Sequence, residues 1–297
     1  MSGFGKLKEQ ESEELKELLT EEIEEGEVVV PVQTHSRFSH LEEELVAMSE
    51  NKSPKFIFTG VVGHENTGKT GIVMDAFMSV IKEKKFDDND WMMAIDFDGG
   101  AGTCAGSHYK NKSNIKCFSP WMMQTEDRTA YDYPETHQRV MDLGQFAIDK
   151  MKEQNQPDYK GGKLRVFLVT ALDLWDSVCQ NNMKIYDMDI GAKDAIGASN
   201  PANTVGNQWN WGIRSTRYNQ LTALCRELMM GGVAVFWETH LVPEIFRDKE
   251  TGAWRPKWEK QTDNYLNQII WCSRHAIRNS DNITTGETRY LARFEKC

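Results

Sequence analysis

Short apolar runs alternate with amphipathic stretches over residues 55–297, and this alternation predicts the fold class. The apolar runs are rich in β-branched and aromatic residues, which is typical of strands buried on both faces. The predicted strands cover residues 56–62, 91–97, 115–118, 164–169, 233–240, 268–277 and 287–295. The predicted helices cover residues 70–85, 135–154 and 214–230. Strands that alternate with helices indicate an α/β fold with a mostly parallel sheet covered by helices on both faces.

Residues 1–54 have a different pattern, so we predict two parts: an acidic helical N-terminal extension (1–54) and one large α/β domain (55–297). Leucine and isoleucine recur at helical spacing within residues 6–25, and a second helix is predicted over 40–49. This acidic N-terminal helix either docks on a protein partner or on the chain itself, or it is a solvated tail. The pattern leaves both possibilities open.

Charge is distributed unevenly along the chain. The formal net charge is −10, and residues 1–27 alone contain ten glutamates against three lysines. The α/β domain is therefore close to neutral. Its charge leaves room for a local nucleic-acid site.

The apolar runs are all shorter than the roughly 18 residues that a membrane-spanning helix needs. The chain begins without the apolar core of a signal peptide, and its six cysteines include no C-x-x-C pair. These features predict a cytoplasmic protein with reduced thiols and no membrane contact.

The segment Gly63-His-Glu-Asn-Thr-Gly-Lys-Thr70 matches the pattern G-x-x-x-x-G-K-[ST], between a predicted strand and a predicted helix. Glycines let the backbone amides approach and surround a phosphate, the lysine ammonium reaches the β- and γ-phosphates, and the threonine hydroxyl ligates Mg²⁺. ATP and Mg²⁺ are therefore the expected cofactors. The predicted nucleotide-binding residues are Gly63, His64, Glu65, Asn66, Thr67, Gly68, Lys69, Thr70 and Gly71, with Lys69 also assigned a catalytic role.

Two acids, Asp96 and Asp98, follow the predicted strand 91–97. Strand alternation places them on one face. If this strand lies beside the P-loop strand, Asp98 reaches the γ-phosphate and orients the attacking water. The alternative is that both acids cap a loop.

The strand 164–169 ends in Thr170, where a P-loop protein usually has the acid that supports Mg²⁺. Asp173 comes three residues later. Either Asp173 turns back toward the metal as a ligand together with Thr70, or Thr170 holds a metal-bound water. This departure bears on hydrolysis rather than on nucleotide binding.

The strand 233–240 ends in the polar residues Glu238, Thr239 and His240. His240 is a candidate catalytic sensor that detects the γ-phosphate and passes its presence to the following loop. A strand-end histidine satisfied by nearby backbone is the alternative.

Cations and tryptophans are interleaved over residues 241–262, a composition used by proteins that bind single strands through phosphate contacts and base stacking. The candidate nucleic-acid residues are Arg247, Lys249, Trp254, Arg255, Lys257 and Trp258. The alternative is a solvated hairpin whose tryptophans point inward. A second long polar stretch covers residues 181–212.

Over about 55–297 these features resemble the RecA-like fold, and more closely the phage-type RecA-like ATPases of single-strand annealing and recombination. The resemblance rests on the P-loop, on Ile95-Asp-Phe-Asp98, on 166–175, on the helix containing Trp211, and on Trp-Glu-Thr-His240. It implies a catalytic acid at Asp98 on a strand beside the P-loop and a sensor at His240. It also implies DNA-binding loops at about 177–210 and 241–264.

The resemblance further implies a homo-oligomer in which a basic residue of the last strand, Lys296, reaches the nucleotide of a neighbouring subunit. The expected function is an ATP-dependent, DNA-binding ATPase of recombination or repair, with single-stranded DNA as its partner. Two alternatives stay open: a DNA-translocating motor of the packaging or helicase type, and a nucleotide-gated scaffold that does not hydrolyse ATP.

Overall fold

The structure is a computed structural model of the 297-residue chain. It describes residues 57–110, 112–124, 130–187, 208–246, 249–278 and 284–296. The predicted extension 1–54 and most of the polar stretch 181–212 lie outside these residues.

The described residues form strands and helices largely where the apolar periodicity predicts them. The strands are β1 (Phe58–Gly63), β2 (Trp91–Ile95), β3 (Ile115–Phe118), β4 (Leu164–Val169), β5 (Ala234–Thr239), β6 (Leu241–Phe246), β7 (Lys249–Pro256), β8 (Gln268–Arg278) and β9 (Thr284–Lys296). The α-helices are α1 (Lys69–Lys82), α2 (Gly100–Tyr109), α3 (Tyr133–Gln154), α4 (Leu172–Asn182) and α5 (Gln208–Met230). A π-helical turn at Met183–Asp187 continues α4, and a 3₁₀ turn occupies Thr262–Tyr265.

Seven strands form one sheet in the order β3-β2-β4-β5-β1-β8-β9. All neighbouring pairs are parallel except β8 and β9, which are antiparallel. The predicted α/β class with a mostly parallel sheet is confirmed. The position assumed for strand β2 is wrong, because β5 and β4 separate it from β1.

Helices α1 and α2 cover one face of the sheet. Val73, Met74 and Phe77 of α1 are buried with Val61 of β1, and Ala101 joins them from α2. Helices α3, α4 and α5 cover the opposite face, where their apolar sides form a second buried cluster. The sheet is therefore buried on both faces, as near-continuous apolar strands require.

The buried cluster on the face covered by α3, α4 and α5 is dominated by large aromatic rings. Trp237 of β5 meets Phe58 of β1 and Tyr218 of α5 edge to face, at centroid distances of 4.9 and 6.0 Å. Trp175 of α4 is completely buried in the same cluster. In the described part of the chain, no helix is long and apolar enough to cross a membrane.

Strands β6 and β7 form a separate antiparallel hairpin that begins directly after β5. Leu241 pairs with Pro256 at its base, and the register shifts between Pro243 and Ile245. Residues 241–246 and 249–256 therefore form the hairpin that the sequence left open as the alternative to a nucleic-acid-binding loop. β6 contains Pro243 and a register shift, and β7 has Lys249 and Glu250 side by side, so neither strand shows the period of 2 that identifies a strand.

Because β1, β2, β4 and β5 are parallel, their carboxyl ends meet at one edge of the sheet. Ligand sites of open α/β sheets lie at this edge. The loop 63–70 leaves β1 there, and Asp96, Thr170 and Glu238 lie at or just beyond the ends of β2, β4 and β5.

Candidate functional site

The loop 63–70 connects the end of β1 to the start of α1, in the strand–loop–helix context that its motif requires. A Cβ atom added to Gly63 would lie 2.5 Å from Thr67 Oγ1 and 2.6 Å from the Cys272 carbonyl oxygen, so only glycine fits. Gly68 has φ +80° and precedes α1 as its N-cap. No side chain caps this helix, so its first-turn N–H groups are not satisfied by a capping side chain and are available to an anion.

Lys69 lies inside this loop. Its Nζ donates hydrogen bonds to the carbonyl oxygens of Gly63 at 3.2 Å and His64 at 2.9 Å. Burial lowers the pKa of Lys69, and the charges of Glu238 and Asp98 oppose that shift. Both direct partners are neutral carbonyls, so an anion entering the loop would give the ammonium a stronger, charge-assisted partner.

Thr70, the next residue, connects the loop to strand β5. Its hydroxyl donates a 2.8 Å hydrogen bond to Glu238 Oε2. The other carboxylate oxygen, Glu238 Oε1, is buried and has no hydrogen-bond partner in the described structure. A buried carboxylate oxygen without a partner is costly, and a cation or a water molecule is the usual remedy.

Glu238 is only 1% exposed. Burial raises its pKa to about 8, while the Thr70 hydroxyl and Lys69 oppose the rise. Asp98 and Asp96 add to it. The loop therefore faces a buried acid whose pKa is raised, and a bound cation would favour its ionised form.

Glu238 was not predicted as a metal ligand, although the sequence contains a signal for it. Four apolar residues followed by an acid is the pattern expected for the metal-supporting strand. That pattern occurs at Ala234-Val-Phe-Trp-Glu238, on the strand that pairs with β1.

Asp96 and Asp98 meet Thr170 at the ends of β2 and β4. Thr170 Oγ1 lies 3.1 Å from Asp96 Oδ1 and 3.0 Å from Asp98 Oδ1, and accepts a hydrogen bond from the Phe97 N–H at 3.0 Å. Asp96 also accepts N–H groups of the first turn of α2. Burial raises the pKa of Asp96, those N–H groups oppose the shift, and the Asp98 carboxyl adds to it.

Asp173, predicted as a metal ligand together with Thr70, forms its hydrogen bonds with other side chains, while its charge still acts on Lys69. Its two oxygens contact His240 Nδ1 at 3.1 Å and Lys257 Nζ at 3.2 Å. Burial opposes ionisation of Asp173, but His240 and Lys257 outweigh it and lower its pKa. Because His240 precedes β6 and Lys257 follows β7, Asp173 ties both ends of the β6–β7 hairpin to α4.

The predicted nucleic-acid residues of this segment differ in exposure. Trp254 is 49% exposed, and Arg255 is exposed beside it. Trp258 is 8% exposed, donates its indole N–H to Asp263, and packs against Gly60 of the core. The prediction that Trp258 stacks on bases is therefore corrected, since its ring belongs to the core and the inward-facing alternative holds for this residue.

The side chains of three predicted residues lie outside the described part of the structure. Arg247 lies outside the described residues. Lys249 and Lys296 belong to β7 and β9 by their backbone, but their side chains lie outside the description.

The hairpin also contacts the loop 63–70. The rings of Trp254 and His64 meet edge to face with centroids 4.4 Å apart. The residue predicted to stack on nucleic-acid bases therefore touches the loop predicted to bind the nucleotide.

Among the described residues, no group of three or more His, Cys, Asp and Glu side chains is arranged to hold a metal ion. Mg²⁺ commonly takes one or two protein ligands and completes its shell with substrate phosphates and water. Thr70 and Glu238 suit that kind of site. No family model matches the chain, and no curated protein matches its sequence.

Proposed function

We propose that this chain is a RecA-like, DNA-binding ATPase that binds Mg²⁺–ATP at the loop 63–70. The observation that carries the proposal is the joint placement of Lys69 and Thr70. The ammonium of Lys69 lies within the loop on its own carbonyls, and the Thr70 hydroxyl bonds to the buried Glu238. A lysine and a hydroxyl placed this way, at the start of a helix, suit a polyphosphate and its metal.

In this proposal the loop amides and Lys69 bind the phosphates, with Lys69 exchanging its carbonyl partners for phosphate oxygens. Thr70 and Glu238 hold Mg²⁺. The partnerless Glu238 Oε1 fits that role, because a cation would satisfy it and neutralise the buried charge. The ion would neutralise the phosphate charge during hydrolysis.

Asp98 orients the attacking water in the proposed hydrolysis. Its carboxylate accepts the Gly100 N–H at 3.0 Å and lies 3.0 Å from the Thr170 hydroxyl. These contacts fix the orientation of the carboxylate. Although β4 and β5 separate β2 from β1, the charge of Asp98 acts on the pKa of both Lys69 and Glu238, which supports a place at the same edge of the sheet as the phosphate loop.

The β6–β7 hairpin binds single-stranded DNA in this proposal. Trp254 supplies an exposed ring and Arg255 a cation. The His64–Trp254 contact gives nucleotide binding a direct route to the hairpin, and the His240–Asp173 contact gives a second route at its base.

The chain assembles side by side as a homo-oligomer, and Lys296 on the last strand reaches toward a neighbouring subunit. Support comes from β9, an edge strand of the sheet with exposed apolar side chains at Leu291 and Phe294. Exposed apolar groups on an edge strand favour association with another chain.

ATP hydrolysis measured without DNA, with single-stranded DNA and with duplex DNA tests the proposal. Stimulation by single-stranded DNA is the expected result. No turnover under any condition, with ATP bound, would favour the nucleotide-gated scaffold. Stimulation by duplex DNA alone would favour a translocating motor.

DNA binding by the hairpin has its own test. Trp254→Ala should weaken binding of a fluorescent single-stranded oligonucleotide roughly tenfold, the scale of one lost stacking contact. Phe146→Ala removes an exposed ring from α3, 41% exposed against 49% for Trp254, and should leave the affinity unchanged. Equal affinities for both variants would remove the hairpin from the DNA site.

A further inference from the structure

Strands β8 and β9 extend past the end of the strand that carries the phosphate loop. β1 pairs with β8 only as far as Gly63, opposite Cys272, whereas β8 continues to Arg278. Beyond Cys272, β8 and β9 pair with each other as a hairpin next to the loop 63–70.

Tyr290 lies in this overhanging part of β9. It pairs across the hairpin with Arg274, two residues beyond Cys272. Because side chains alternate along a strand, Tyr290 lies on the same face as Cys272, the face covered by α1.

The Tyr290 ring reaches the phosphate loop. A Cβ atom placed on Gly68 would lie 3.4 Å from Cδ1 of this ring. The side chain is nevertheless 56% exposed, so one part touches the loop and the rest is open to a ligand. A ring that served only to support the loop would stabilise the fold more if it were buried.

The direction of a bound nucleotide follows from the two flanks of the loop. Thr70 and Glu238 lie on the β5 side of β1, and this side suits the metal and the terminal phosphates. Strands β8 and β9 flank β1 on its other side. A nucleotide whose terminal phosphates lie on the β5 side would extend its nucleoside toward β8 and β9, where Tyr290 presents an exposed ring.

We propose that Tyr290 is a nucleotide-binding residue on which the base of the nucleoside triphosphate stacks. The inference rests on the proposed function, since it needs the triphosphate in the loop 63–70. It adds a contact that the phosphate motif lacks, because the motif contacts only phosphate and metal. Stacking tolerates every base, so Tyr290 contributes affinity for nucleosides as a class.

Two ligands separate base contacts from phosphate contacts: Mg²⁺–ATP and Mg²⁺ with inorganic tripolyphosphate. Titration calorimetry of the full chain should show that Tyr290→Ala binds ATP roughly tenfold more weakly, with tripolyphosphate affinity unchanged. Tyr290→Phe keeps the ring and should match the wild type for both ligands.

A control comes from outside strand β9, whose exposed apolar side chains form the proposed oligomer surface. Phe146→Ala removes an exposed ring from α3. This variant should bind ATP like the wild type.

Equal weakening of ATP and tripolyphosphate by Tyr290→Ala would overturn the inference, because it would make Tyr290 a support of the loop. Unchanged ATP affinity would overturn it as well. In both cases the proposed function stands, since wild-type binding is intact. A wild-type chain that binds neither ligand would overturn the phosphate site itself and this inference with it.

Discussion

Glu238→Gln should make the protein without nucleotide more stable at neutral pH and less able to use Mg²⁺. The amide has the shape of the carboxyl and can still accept the Thr70 hydroxyl. It cannot ionise, however, so the variant removes the cost of a charge at a position that is 1% exposed.

The direction and size of this stability difference follow from the pKa of Glu238, which burial raises from 4.5 to about 8. Between these two values the unfolded chain has released the proton and the folded chain retains it. Wild-type stability therefore falls as pH rises through this window, by about 1.4 kcal/mol per pH unit. The loss reaches about 3 kcal/mol at pH 7 and levels off above the folded pKa. The glutamine variant lacks this loss.

Guanidinium unfolding of both proteins at pH 5, 6, 7 and 8, without Mg²⁺ or nucleotide, measures the effect. The difference in unfolding free energy should grow with pH in favour of the variant. The slope of this difference against pH reports on the Glu238 carboxyl alone, because any free-energy cost of the amide itself is the same at every pH. A difference that stays constant from pH 5 to 8 would refute the burial and charge assigned to Glu238. In the same variant, Mg²⁺ should no longer strengthen ATP binding.

Three further substitutions test separate parts of the site. Asp98→Asn should leave ATP binding intact and lower ATP turnover roughly a hundredfold, and unchanged turnover would remove it from hydrolysis. Gly63→Ala should abolish ATP binding and destabilise the fold by about 1–3 kcal/mol, because its Cβ would lie 2.5 Å from the nearest atom. In the control Gly71→Ala the new Cβ would have no atom within 4 Å, so this variant should bind ATP normally. Asp173→Asn should speed amide hydrogen exchange in β6 and β7 and cost about 2 kcal/mol, and unchanged exchange would contradict the tie between α4 and the hairpin.

The fold could be predicted from sequence where burial imposes a clear period. Strands β3 and β4 have their predicted bounds, because their apolar runs stop abruptly at polar residues. Helix α2 was missed, since it is rich in glycine and buries only Ala101 and Ala105. Asp96 supports its start by accepting N–H groups of its first turn, and such a contact leaves no periodic signal.

The site could be predicted only where its residues are adjacent in sequence. The loop 63–70 is local, and its motif alone placed Lys69 and Thr70. Which acid faces Thr70 depends on which strand pairs with β1, and strand order is not encoded locally. The same limit applies to Asp173, which was predicted as a metal ligand from its position after β4 but contacts His240 and Lys257 in the structure.

The solvent exposure of individual side chains could not be predicted from composition either. Trp254 and Trp258 are four residues apart in one cationic segment, yet one is half exposed and the other is packed against Gly60. Strand β7 ends at Pro256, between the two tryptophans, and Trp258 follows it into the core. Tyr290 was overlooked for a related reason, since only the pairing of β9 with β8 brings it to Gly68.

The most direct test of the central claim is Mg²⁺–ATP affinity measured for the wild type, Lys69→Ala and Lys82→Ala. Lys82 is an exposed lysine in the last turn of the same helix and serves as the matched control. The account predicts that the wild type and Lys82→Ala bind ATP alike and that Lys69→Ala binds at least about a hundredfold more weakly. Equal ATP binding by all three proteins would contradict it.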